Sequence, residues 1–360
     1  MEERKMILKM IEDGKISAEE GLKLLDSLGK DKQEPEQTDG HNRSDNESKS
    51  YKQTSADPEE TPFSRFTSFF ESAFQKVREG DLDFNFGSVT EVDHVFQHQG
   101  IVPKSVYVSL ENGSVQVVPW EKEDIRLECE AKVYKARDEE EARESLLKDS
   151  VFSATEEKVS FETKSKAMKV NVVLYVPEAS YENVKLYAFN GSLNGESIKT
   201  DLFDASTTNG SIKTADLVAK KAMMETSNGS ISCEGHSIGS LYAKTLNGSI
   251  KVDGAAEDAD IETLNGTINY HVNDSVETGY LDIKTTTGSV KILVSDQIRF
   301  EGKLKSNVGS IRNRLSDAEI IDEKKEFAQR YMQVSANQAQ SKRIKVHAVA
   351  NTGTITVEDK

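Results

Sequence analysis

The chain has 360 residues, enough for two or three units and a sizeable core. Its 62 acidic and 46 basic residues leave a net charge of −16, which argues against nucleic acid as a main partner. The two cysteines, Cys129 and Cys233, have no metal-ligand spacing and read as small buried hydrophobes, and no apolar run approaches the ~18 residues of a membrane-spanning helix.

Residues 1–30 predict a small α-helical hairpin. Met6, Ile7, Met10 and Ile11 stand at helical spacing, and Asp13-Gly14 ends that helix. Ser17 and Glu20 form a capping box ahead of a second helix that carries Leu22, Leu24, Leu25 and Leu28 and closes at Gly29. Such a hairpin is too small to bury its own apolar faces. Ile7, Met10, Ile11, Leu24 and Leu25 are therefore candidate interaction residues, for self-association or for docking on a partner. The charged N-terminus lacks the apolar core and cleavage site of a secretory signal. Cytoplasmic placement with membrane association is expected, and the alternative is the cell surface by non-classical export.

Residues 31–60 hold one aromatic residue and no aliphatic beyond Ala56, so they read as a disordered linker. Residues 61–80 predict an amphipathic helix with a stripe of Phe63, Phe66, Phe70 and Phe74, bordered by Arg65, Lys76 and Arg78. Two roles fit it: a cap over the open first coil of a repeat domain, which is favoured, or peripheral contact with a membrane.

Residues 81–360 carry the organising pattern. The phrases FNGSL, TNGSI, SNGSI, LNGSI and LNGTI place glycines at 191, 210, 229, 248 and 266. Weaker copies surround Gly288, Gly309 and Gly353, and an early copy surrounds Gly113. Apolar residues recur seven and five positions before each glycine and two after it, with Gly302 the one break. That is a strand of period two, a turn and a second strand, and identical residue types at identical offsets are what stacked coils require. The reading is a mainly β protein: a β-solenoid, β-helix-like, with NGS-I coils of about 19–22 residues. Asn-Gly suits the turn because both residues tolerate a left-handed backbone. The column Asn190, Asn209, Asn228, Asn247 and Asn265 reads as a structural turn ladder whose amides bond along the stack.

The 78 residues between Gly113 and Gly191 equal about four coils in length and are expected to be irregular coils, with a charged helix over 137–148 spliced in. Regular coils are expected from 184 to about 312, an excursion or capping element over 313–342, and a last strand pair over 344–357.

Catalytic chemistry is not visible. The six histidines form no helical metal pair; His94 and His98 lie four apart in a loop-like stretch without a third ligand. Phosphate loops and dinucleotide fingerprints are missing. Outward offsets six and four before each glycine carry mixed charges with no recurring acidic pair, as a solvated face does. No catalytic, cofactor or metal residue is assigned.

The stretch ILKMIEDGKISAEEGLKLLDSLG resembles the helical module that opens YvlB and LiaX-type proteins of Gram-positive bacteria, and is similar to SHOCT-like hairpins. The NGS-I coils resemble the bacterial adhesin-type solenoid domain that follows that module. The resemblance implies a role in the cell-envelope stress response beside PspC-type membrane proteins, without enzymatic activity. The expectation is a scaffold or regulator whose hairpin docks or self-associates while the solenoid binds a membrane or envelope protein. The alternatives are a surface module that binds glycan or antimicrobial peptide, and a carbohydrate-active enzyme, which would need a crevice holding two carboxylates.

Overall fold

The computed structural model describes residues 88–360, all within the unit Glu60–Lys360. The hairpin of residues 1–30, the linker and the Phe63, Phe66, Phe70 and Phe74 stripe lie outside the described residues.

Coils form because apolar side chains alternate along each strand and recur at the same offset in the next coil. β1 is Val89–Gln99, β2 Ser105–Asn112, β3 Val115–Trp120 and β4 Asp124–Tyr134. Helix α1, Glu139–Asp149, follows, then β5 Ser150–Ala154, β6 Lys158–Thr163, β7 Met168–Pro177, β8 Ser180–Asn190 and β9 Leu193–Glu196. The regular stack comprises β10 Lys199–Asn209, β11 Ile212–Asn228, β12 Ile231–Asn247, β13 Ile250–Asn265, β14 Ile268–Val272, β15 Thr278–Thr287 and β16 Val290–Val294. The chain ends with β17 Arg299–Val308, β18 Ile311–Arg314, β19 Ala318–Lys325, β20 Arg330–Ala336, β21 Arg343–Thr352 and β22 Ile355–Asp359.

Neighbouring coils pair in parallel with Asn209 opposite Asn228, Asn228 opposite Asn247, and Asn247 opposite Asn265. The chain is thus a β-solenoid, with no hairpin at any of these turns. Phe203, Ala222, Leu241, Ala259 and Leu281 stack in one buried column, and Ile212, Ile231, Ile250, Ile268 and Val290 in another. Gly302 breaks the first column because the buried Phe300 ring fills the space; a Cβ at Gly302 would lie 2.6 Å from that ring.

The turn glycines are required by close approach. A Cβ on Gly191, Gly210, Gly229, Gly248 or Gly266 would stand 1.7–2.0 Å from the carbonyl oxygen of the glycine one coil earlier. Gly113, Gly288, Gly309 and Gly353 also have positive φ, from +129° to +150°. The asparagines need a different explanation from the one the turn pattern suggests. The described non-glycine residues with positive φ are Lys135, Ser197, Asp216 and Asn337, so the ladder asparagines are not left-handed.

Both ends depart from the expected sequential stack. At the first, the 78 residues after Gly113 do not make four coils. β6 and β7 form a single coil outside the β2–β3 coil, so that β2 sits between β6 and β8, and β3 between β7 and β9. β4 then pairs antiparallel to β7, β1 to β4, and β5 to β6. Alternation identifies a strand but carries no direction, so length alone overcounted the coils. Helix α1 is capped by Asp138, which accepts from the Glu141 amide at 2.9 Å, and it buries Ala142 and Leu146. With the ring cluster Phe96, Phe152 and Phe161 it covers this end of the core.

At the second end, β21 lies between β15 and β17, and β22 between β16 and β18. The last coil of the chain therefore occupies a slot inside the stack. The capping element expected over 313–342 is the hairpin β19–β20, whose second strand pairs antiparallel to β17.

Candidate interaction surface

The turn edge is a self-satisfied polar seam. Each asparagine side-chain amide donates to the carboxamide oxygen of the coil before it: Asn190 to Asn112 at 2.8 Å, Asn209 to Asn190 at 2.7 Å, then Asn228, Asn247 and Asn265 each at 2.9 Å. Asparagine is selected for this bond. Asn307 and Asn351 make the equivalent pair at 2.8 Å. A second column was legible but escaped sequence reasoning: three residues before the glycine stand Thr207, Thr226, Thr245, Thr263, Thr285 and Ser306. Their buried hydroxyls donate at 2.8–3.1 Å to the carbonyl of the neighbouring coil's glycine. The tight approach that excludes a Cβ and the hydroxyl that satisfies the carbonyl are one device.

The lateral face carries the outward offsets, and it is not uniformly solvated. Met223, Glu225, Tyr242 and Lys244 point outward yet are only 4–7% exposed. Lys244 lies 2.9 Å from Glu262, 3.8 Å from Asp260 and 4.5 Å over the Tyr242 ring. Burial opposes its charge, but hydrogen bonds to Glu262 and Tyr242 and the charge of Asp260 hold its pKa above the ordinary lysine value. Burial also pushes the Tyr242 hydroxyl up to about 12 and raises the Asp260 carboxyl. Further along, Asp282 bonds Lys284 at 2.7 Å and His347 at 3.0 Å, while Glu301 joins Arg299 and Arg343 across β17 and β21. Carboxylates on this face are thus mostly tied to cations.

His94 and His98 lie on strand β1, not in a loop; the His94 ring stands edge-on to Phe96 with centroids 4.4 Å apart. Among the described residues no cluster of three or more His, Cys, Asp or Glu could hold a metal. Cys129 and Cys233 are free and buried, and burial pushes their thiols up to about 12 and about 11. Among the described residues no helix is long and apolar enough to cross a membrane. The candidate interaction residues Ile7, Met10, Ile11, Leu24, Leu25, Phe63, Phe66, Phe70 and Phe74 lie outside the described residues.

Comparison with known proteins follows the same division. Residues 104–358 match the family model Toastrack DUF4097, and residues 2–33 match a SHOCT-like domain. The Bacillus subtilis (strain 168) protein YvlB is 37% identical over 370 residues, covering 99% of this chain and 98% of that protein. A "putative adhesin" structure from Bacteroides fragilis NCTC 9343 aligns with a TM-score of 0.42 at 10% identity, over 74% of this chain and 97% of its own. Another, from Parabacteroides distasonis ATCC 8503, aligns at 0.35 and 12% identity, over 76% and 98%. By the span of the family model and the near full-length relative, the chain belongs to the Toastrack DUF4097 family.

Proposed function

We propose that this protein is a non-enzymatic scaffold of the bacterial cell-envelope stress response, cytoplasmic and membrane-associated. The helical hairpin of residues 1–30 docks or self-associates, and the solenoid presents a long rigid surface to a membrane or envelope protein, of the PspC type that the family resemblance implies. The observation that carries this reading is the polar seam. Along the stack, side-chain amides, hydroxyls and carbonyls are consumed by the neighbouring coil, and most charges of the lateral face are paired. Such a surface suits shape and charge recognition over a wide area better than bond-making chemistry on a small molecule.

Co-purification from membranes extracted in mild detergent tests it, with the full chain and with residues 1–30 removed. A membrane protein retained by the full chain and lost with the truncated one supports the hairpin as the docking device. Retention by both assigns recognition to the remaining chain. Loss from both, together with digestion by protease added to intact cells, favours a surface-binding module instead.

A further inference from the structure

The β19–β20 hairpin ends in a feature the seam does not absorb. Its tip, residues 326–329, reads Glu-Phe-Ala-Gln, and Phe327 is 105% exposed, its ring held entirely in solvent. The tip is braced: the Glu326 amide donates to the Gln329 carbonyl at 3.0 Å, and the Arg330 guanidinium donates to the carbonyls of Glu326 and Gln329. An unbraced loop could fold such a ring back onto the protein, whereas this one holds it outward.

The surroundings are richer in cations than this protein of net charge −16 is as a whole, with Glu326 the carboxylate next to the ring in sequence. Lys324 and Lys325 precede the tip and Arg330 follows it. Lys325 is paired with Glu323 at 2.9 Å and Lys324 with Asp322 at 3.8 Å, but Arg330 bonds carbonyls, which leave its charge uncompensated. The outward face continues the charge. Lys305 stands opposite Tyr331 and Lys303 opposite Gln333, with Lys345 one strand further on. Among the described residues Lys303 and Lys305 make no ion pair, whereas Lys345 stands opposite Glu301 and its charge acts on that carboxylate. Beside the tip a shallow pocket of about 80 Å³ is lined by Glu323, Lys325, Arg330 and Tyr331.

We infer that the β19–β20 hairpin is a peripheral membrane contact, in which Phe327 enters the headgroup–acyl boundary of an anionic phospholipid bilayer while the surrounding lysines and Arg330 meet lipid phosphates. An exposed aromatic inside a cationic collar matches an interface that is apolar below and anionic above. The contact does not depend on the scaffold reading.

The test uses the full chain and protein-free vesicles, either of mixed phosphatidylglycerol and phosphatidylcholine or of phosphatidylcholine alone. Sedimentation is expected only with the anionic vesicles and should weaken with added salt. Phe327→Ser should reduce binding about tenfold or more. Lys303→Gln and Lys305→Gln should each cost about fivefold and flatten the salt dependence. Because the native cysteines are buried, Ala328→Cys, which keeps the Phe327 ring, offers one site for an environment-sensitive dye, whose emission should shift to the blue on anionic vesicles. Unaltered binding by Phe327→Ser overturns the inference and assigns lipid contact elsewhere, the Phe63, Phe66, Phe70 and Phe74 segment first. A chain that ignores both vesicles also overturns it; if that chain is dimeric and Phe327→Ser makes it monomeric, the ring is covered by a second copy.

Discussion

Replacing Gly229 by alanine tests the packing logic at its tightest point. The added Cβ would lie 1.9 Å from the Gly210 carbonyl oxygen and 2.5 Å from its carbon, both backbone atoms that cannot swing aside. Reaching ordinary contact at about 3.2 Å requires the two coils to part by more than 1 Å, a quarter of the ~4.8 Å strand spacing. That separation breaks the Gly210 amide bond to the Asn228 carbonyl, the Thr226 bond to Gly210 and the Asn228 bond to Asn209, which measure 3.0, 2.8 and 2.9 Å. At about 1 kcal/mol each, with a buried carbonyl left unpaired, the cost is ~3–5 kcal/mol. Gly100→Ala is the control. Gly100 has φ +72° but nothing within 4 Å of its virtual Cβ, so it carries only the conformational penalty of about 1–2 kcal/mol. Denaturant melts of both variants, followed by circular dichroism, should separate them by ~1–4 kcal/mol. Equal losses would refute close approach as the reason for glycine and return the explanation to backbone conformation.

Three further outcomes follow from the same geometry. Thr226→Val should cost ~1–3 kcal/mol and Thr226→Ser much less, because the serine keeps the donor to Gly210; thermal melts distinguish the two. Native Cys129 and Cys233 should resist a thiol reagent at pH 8 and react fully in denaturant, since burial raises both thiols well above that pH. Hydrogen bonding to Arg343, ahead of the charges of Arg343 and Arg299, holds the Glu301 carboxyl below its usual range. The stabilisation this gives is present above the unfolded carboxylate pKa of ~4.3 and is lost as pH falls through the lower folded value. Acid titration of Glu301→Gln should therefore show a shallower loss of stability below pH ~4 than the parent, and an equal slope would count against the bridge.

The repeat was legible because three apolar columns and a glycine recur at fixed offsets, and only stacked coils demand that. The Thr207 to Ser306 column was equally visible, but hydroxyls beside a turn read as turn chemistry until the carbonyl they satisfy is seen. The position of β21 was not legible. The register around Gly353 states that a coil exists, and nothing in it states which slot the coil fills. The antiparallel strands β1 and β4 were hidden for a related reason, since Ile125, Leu127 and Cys129 alternate identically whichever way the strand runs. Phe327 stands alone between charged residues, and no periodicity marks an isolated exposed ring.

The slot occupied by β21 and β22 bears on how the molecule is made. Synthesis delivers β15–β16 and β17–β18 before the strands that belong between them. Until residues 343–359 leave the ribosome, the growing protein holds two unpaired parallel edges facing a gap one coil wide, and each edge is a template for a strand from another molecule. The closing piece arrives after every strand it must join, so a chain cut short before residue 343 is an adhesive fragment instead of a slightly shorter protein.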